Sequence, residues 1–231
     1  MNRTVETTST GETALILAAE RLFAEGGIEG VALRHINQAA NHKNISAAHY
    51  HFGSREGLVQ AVLAYRLPEL DRRRGELLRR NVEAKDVRFY LEAFIAPLAE
   101  ELAPREEGNY YLRFIQQYEK YQGDYEFARR ISPWGVEIYA GLEKLLYYIP
   151  EEVRRLRIGH LINMIHSVLG TAEGRLEKGE LSHGDIPLIA VNAVDMFAAG
   201  LSAPLSAETI RQLGSDRELD APDNSSSLMR R

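Results

Sequence analysis

The sequence predicts an all-α fold. Three observations predict it. Apolar residues recur at three- and four-residue spacing in nearly every segment, no convincing run alternates with period two, and Gly, Asn and Pro fall between the periodic segments. The 231 residues carry 28 Lys+Arg against 33 Asp+Glu, a formal charge of −5, with 45% hydrophobic and 26% charged residues. Such a chain can bury a sizeable core without metal or disulfide staples. The absence of cysteine excludes a disulfide framework, thiolate catalysis and zinc-finger chemistry. No apolar run reaches the roughly 18 residues of a membrane-spanning helix. Met1 to Gly11 is polar and lacks the apolar core of a signal peptide. A soluble cytoplasmic protein with no membrane partner is therefore expected.

The elements follow in order. Leu15, Ala19, Leu22 and Phe23 mark a first helix over about 12–25, stopped by Gly26-Gly27. Leu33, Ile36 and Ala40 mark a short second helix, and Asn41 suits the left-handed conformation of a sharp turn. A third short helix is expected over about 45–51 with Asn44 as its N-cap. Gly53 ends it, and Ser54 caps a fourth helix carrying Leu58, Val62 and Tyr65. Pro68 is expected to kink or end that helix. Downstream, helices are expected over 86–103 and 107–122, over 125–149 with a break at Ser132-Pro133, and over 151–178 and 185–202. Residues 206–213 add a short one, and the polar stretch 215–231 is expected to be disordered. The helix over 185–202 is apolar or small nearly all round, as a helix buried on more than one side would be.

The informative stretch is Gly30 to Leu58, GVALRHINQAANHKNISAAHYHFGSREGL. It reads as a helix, a tight turn, a second short helix and a capped third. A short helix held at an angle by a preceding one can enter the major groove of DNA. The net acidity argues against a general nucleic-acid coat. Arg34, Lys43 and Arg55 nevertheless fall near the turn and the helix starts, and His35, His42, His49 and His51 lie close together. Protonated beside phosphate, those histidines would add positive charge.

These residues resemble the DNA-binding head of TetR-type transcriptional regulators. The likeness is carried by Ala18-Ala19-Glu20-Arg21-Leu22-Phe23, by Ile36 with Ala39-Ala40, and by Tyr50-His51-Phe52-Gly53-Ser54-Arg55-Glu56-Gly57-Leu58. It covers about residues 12 to 64, with a branch that begins its recognition helix Asn-x-Ser-Ala. The resemblance implies that residues 44–51 form the recognition helix. Base reading then falls to Asn44, Ser46, Ala47 and His49. Arg34 and Arg55 approach the phosphate backbone, with Arg55 where the family usually has a lysine. Tyr50 and His51 match the family's aromatic-His pair, one side of which commonly faces the backbone, and Lys43 is a further DNA-binding candidate. The turn before Asn44 is one residue longer than the commonest pattern. Val31 and Ala32 stand where the family often has a phosphate-binding Thr or Ser.

The resemblance further implies a helix-turn-helix DNA-binding domain over 1–55 and a helical ligand-binding and dimerisation domain over 56–214. The expected function is a ligand-responsive transcriptional regulator. It would be a homodimer through the last two long helices, and most simply a repressor released from a pseudo-palindromic operator by a small apolar or aromatic effector. Cavity candidates are Phe94, Tyr111, Phe114, Tyr118, Trp134 and Ile138, with His160 and Asn163 supplying polarity. The arginine run over 72–80 is most simply a solvated helix face, with an anionic ligand as the alternative. No H-E-x-x-H pattern occurs, and Ser167 has no nucleophile-elbow glycines around it. Neither enzyme activity, cofactor nor metal is therefore expected. The rival readings are a helical small-molecule-binding protein and a DNA-binding regulator without an effector.

Overall fold

The computed structural model describes residues 10–42, 46–80, 85–106, 108–121 and 125–219. Among these residues there are eleven α-helices and no strand. Two compact units divide the chain, Met1–Leu201 and Ser202–Arg231. The second contains α11 (Ala207–Leu219), which continues six residues past its expected end.

Within the first unit, α1 (Thr10–Gly26) buries Leu15, Ala19 and Phe23 and is closed by Gly27 at φ +76°. A left-handed residue just past the last turn is the common helix stop. α2 (Leu33–Ala39) ends before Asn41, whose φ of +52° is the sharp turn its side chain tolerates. α3 is Ala47–Phe52, and Gly53 at φ +72° ends it. Asn44, expected to cap this helix, lies outside the described residues; Ser46 occupies the N-cap position.

α4 (Arg55–Leu78) begins with a local cap, the Ser54 hydroxyl accepting from the Gly57 amide at 3.1 Å. Of the two expectations for Pro68, a kink or an end, the end is not met: the helix runs on through it. Proline withdraws its own amide and frees the carbonyl four residues earlier. Ala64 and Pro68 both face solvent, so water can take up the freed Ala64 carbonyl. α5 (Val87–Glu100) is capped locally by Asp86, whose carboxylate accepts from the Phe89 amide at 2.8 Å.

α6 (Tyr111–Tyr121) starts later than expected, after Gly108 at φ +83°. α7 (Tyr125–Arg130) and α8 (Pro133–Leu145) are separated at Ser132-Pro133 as the sequence implies. α9 (Glu151–Glu177) buries Ile158, Leu161, Ile165 and Leu169, and a 3-10 turn over His183–Asp185 leads into α10 (Ile186–Ser202). Packing centres on α6, which lies between α1 and α9, while α4 packs on α1, α5 and α8.

The expectation that α10 is buried on more than one side is not met within one chain. Leu188, Val191 and Met196 stand 73%, 56% and 61% exposed. The stretch His183–Ser202 has the length and mean hydropathy, 1.3, of a segment able to cross a membrane, although only 28% of it is buried. It also carries Asp195, held by Arg88 at 2.5 Å. Leu156, Met164 and Val168 extend exposed apolar surface onto α9.

Candidate nucleic-acid interface and effector pocket

The head is assembled by side chains that reach from one helix to another. Asn37 of α2 is buried, and its side-chain oxygen accepts from the Ala48 amide of α3 at 2.8 Å. That bond satisfies one of the orphan amides at the start of α3 and fixes its angle to α2. His51 Nδ1 lies 3.0 Å from Glu12 Oε1, joining α3 to α1. Arg55 donates to the Val31 carbonyl at 3.2 Å and is half-buried.

Around this frame Arg34, Ser46, His49, Tyr50 and His51 are exposed, with Tyr50 the extreme at 82%. Its ring meets the His51 edge, with centroids 5.2 Å apart. Lys43 and Asn44 lie outside the described residues. Ala47 is corrected: it is 1% exposed, as is Ala48, because α3 needs two small residues to seat on the rest of the head. A side chain so enclosed has no access to a base edge. Asn37 was missed, since a lone Asn inside a helix gives no sign that it serves another helix.

Side chains of α1 and of the start of α4 are tied to the rest of the first unit. Arg66 of α4 grips Glu20 of α1 bidentately, Nε to Oε2 at 2.7 Å and Nη2 to Oε1 at 2.9 Å. Burial alone would lower the Arg66 pKa, but the bonds and charge of Glu20 outweigh it and raise it. The Tyr121 hydroxyl of α6 donates to Glu56 at 2.7 Å, which holds that carboxyl below its usual range. Phe114 of α6 stacks on Phe23 of α1 at 6.3 Å.

That stacking involves one of the expected cavity residues. Tyr111, Phe114 and Tyr118 are all buried and run along one face of α6, with successive rings 6.3 and 6.4 Å apart. All three belong to the core, on the helix that packs between α1 and α9. Ile138 is likewise core at 2% exposure. His160 and Asn163 are exposed, because the apolar stripe of α9 turns inward and carries them out. His166 is the inward-facing histidine: Nδ1 lies 2.5 Å from Glu119, and its ring lies 5.9 Å from Phe94. With its amide nitrogen oriented to donate, Asn163 reaches the same Glu119 at 2.8 Å.

A half-open pocket of about 360 Å³ lies at the far end of α4, lined by Leu78, Arg79, Arg80, Lys85, Tyr90, Trp134 and Glu137. Of the eight expected cavity residues it contains Trp134. Beside it, Phe94 packs under the buried Arg74 guanidinium at 4.5 Å. Burial pushes the Arg74 pKa down, partly offset by Tyr111 and Asp71. The arginine run thus divides. Arg72 and Arg73 pair with Glu69, Glu76 and Glu100, Arg74 is inside, and Arg79 and Arg80 line the pocket.

Residues 15–62, the segment just described from α1 into α4, match the family model of the bacterial regulatory proteins, tetR family. This chain carries a TetR-family head. The whole fold agrees with AmtR of Mycobacterium smegmatis, covering 93% of this chain and 98% of that one at 18% identity and a TM-score of 0.51. It is also similar to NalD of Pseudomonas aeruginosa, titled the secondary repressor of the MexAB-OprM multidrug efflux pump (82% and 96% covered, 18% identity, TM-score 0.47). PfmR of Thermus thermophilus matches over 93% and 97% at 19% identity and a TM-score of 0.44. No curated protein matches the chain in sequence. TetR-family regulators are generally DNA-binding transcriptional repressors and not enzymes.

Proposed function

We infer that this protein is a cytoplasmic, ligand-responsive transcriptional regulator whose residues 1–55 bind a pseudo-palindromic operator and whose residues 56–214 bind an effector and dimerise. One observation carries the reading. α4 is a continuous helix of 24 residues, so about 36 Å long, running from Arg55 in the head to Leu78 in the wall of the pocket. Arg66 clamps it to α1 and Asp71 binds it to α8, so a shift at the pocket end has a stiff route to the head.

In this reading Ser46, His49 and Asn44 face bases, while Arg34, Lys43, Tyr50, His51 and Arg55 serve the phosphates. The exposed apolar residues of α9 and α10 meet those of a second copy. Two heads related by a two-fold axis then read half-sites about 34–36 Å apart. Effector binding favours a conformer with the heads wrongly spaced, and by linkage DNA weakens effector binding by the same factor.

The test is capture of fragmented genomic DNA by the full-length protein at physiological salt, followed by sequencing. Recovery of a few fragments sharing a palindrome is expected. Uniform recovery that vanishes with added salt would mean phosphate binding alone and would overturn the reading.

A further inference from the structure

The pocket at the end of α4 has an uneven charge. Among the described residues that line it, Arg79, Arg80 and Lys85 stand against one carboxylate, Glu137, a net charge of +2. Elsewhere the arginines of the body are mostly neutralised: Arg66, Arg72, Arg73, Arg88, Arg105 and Arg113 each have a carboxylate within 4.0 Å. Arg79, Arg80 and Lys85 have no such partner among the described residues.

What surrounds the cations is equally specific. The Arg79 guanidinium lies over the Trp134 ring, 4.9 Å from its centroid. A guanidinium stacked this way keeps its N–H edge free for in-plane bonds to a carboxylate. Lys85 spends one donor on the Leu78 carbonyl at 2.8 Å and has two others. Trp134 is held from behind, where Gly75 leaves no room for a side chain: a Cβ there would come within 2.6 Å of the indole. Cations at the C-terminus of α4 also suit its dipole. That accounts for their sign, but not for Trp134 and Tyr90 arranged around them, nor for Lys85 arriving from beyond the helix.

We propose that this pocket binds a small organic carboxylate, its acid group held by Arg79, Arg80 and Lys85 and its aromatic or aliphatic body lying against Trp134 and Tyr90. A volume of about 360 Å³ is at the small end of ligand pockets, which suits one ring or a short chain. The proposal rests on the ligand-responsive reading above and names the chemistry of its effector.

Trp134 is the only tryptophan in the chain, so its emission reports on this pocket alone. Full-length protein is titrated with benzoate, 4-phenylbutyrate and octanoate, each beside its neutral amide. At least one acid is expected to give a saturable change and to bind about tenfold or more tightly than its amide. The double variant R79Q/R80Q, with unchanged circular dichroism, is expected to lose that preference. Equal binding of acid and amide, or no acid saturating below about 1 mM, overturns the proposal. Operator affinity is measured separately. Acids that bind without altering it leave the site standing and remove the effector reading. Amides that release DNA where acids do not bind leave the regulatory reading standing and remove this one.

Discussion

Asp71 of α4 accepts a hydrogen bond from the main-chain amide of Trp134 in α8 at 3.2 Å. The same carboxylate, on a residue only 4% exposed, takes the Gly135 amide at 3.0 Å and the Ser132 hydroxyl at 2.7 Å. It therefore closes the N-terminus of α8 from a different helix. The device recurs at Glu173 of α9, which takes the Leu112 and Arg113 amides of α6, and at Asn37, which takes the Ala48 amide of α3. The helix bearing the pocket tryptophan, the one meeting the head's Phe23 and the expected recognition helix are each anchored by a residue outside themselves.

Asp71→Ala removes the acceptor of three buried or half-buried donors and removes a carboxylate whose charge offsets the burial of the Arg74 cation. Unsatisfied buried donors cost about 1–3 kcal/mol each, so a total loss of about 3 kcal/mol or more is expected in urea unfolding. Trp134 emission should shift to the red as the start of α8 loosens. A loss below about 0.5 kcal/mol, the range of ordinary surface changes, would show the cap to be redundant.

The Glu20–Arg66 pair is enclosed, with side chains 2% and 9% exposed. Removing one partner of such a pair leaves an uncompensated buried charge, at about 3–5 kcal/mol. Arg66→Met should therefore destabilise strongly. Combining it with Glu20→Leu should recover much of the loss, because no bare charge then remains inside. Thermal unfolding of the four proteins gives the coupling energy; purely additive losses would contradict a direct pair.

Much of this fold is legible in the sequence because many of its helix ends are punctuated locally. Gly27, Asn41, Gly53, Ser54 and Asp86 each act on neighbours within a few residues, and the breaks expected there are found. Two starts set from afar are misplaced, whereas that of α8, which Asp71 closes from α4, is also marked locally by Pro133 and is found where expected. α6 waits until Tyr111 because its cap, Glu173, is some sixty positions away, and α3 takes its cap from Asn37. Periodicity correctly puts Tyr111, Phe114 and Tyr118 on one face, but not which helix covers it. Here α1 packs on α6, with Phe23 stacked on Phe114. His160 and Asn163 share that difficulty: spacing gives a common face without saying that it points outward. The pocket itself was half visible, as Trp134 and the arginine run, without the fold that brings Tyr90 and Lys85 beside them.

In the head, Tyr50→Ala should leave stability within about 0.5 kcal/mol, since the ring is exposed and packs on the His51 edge. Affinity for a captured operator fragment should nonetheless fall about tenfold or more. Arg34→Ala should weaken specific and non-specific DNA alike and lower the slope of log K against log salt by about 0.9 for each phosphate no longer neutralised. Unchanged affinity in both variants would move the interface away from α2 and α3.

The pH dependence of stability turns on Glu173. Burial pushes its carboxyl above the ordinary glutamate value, against the opposing pull of the Arg113 and Leu112 amides and the Arg113 guanidinium. Arg113 is shared with Glu177 at 2.8 Å, so its charge is not given wholly to Glu173. With the folded pKa above the unfolded value of about 4.3, the folded state binds the proton more tightly between the two. This group's contribution is therefore fully present below that unfolded value and is lost as pH rises through the folded one. Glu173→Gln cannot titrate, so the wild-type stability minus that of the variant should decline from pH 5 upward and level off beyond the folded pKa. Urea unfolding at intervals from pH 5 to 8 measures this difference with all other titrating groups held in common. A difference that rises with pH would instead mean that the two amides and Arg113 overcome burial, making the ionised carboxylate the form that holds α6 to α9.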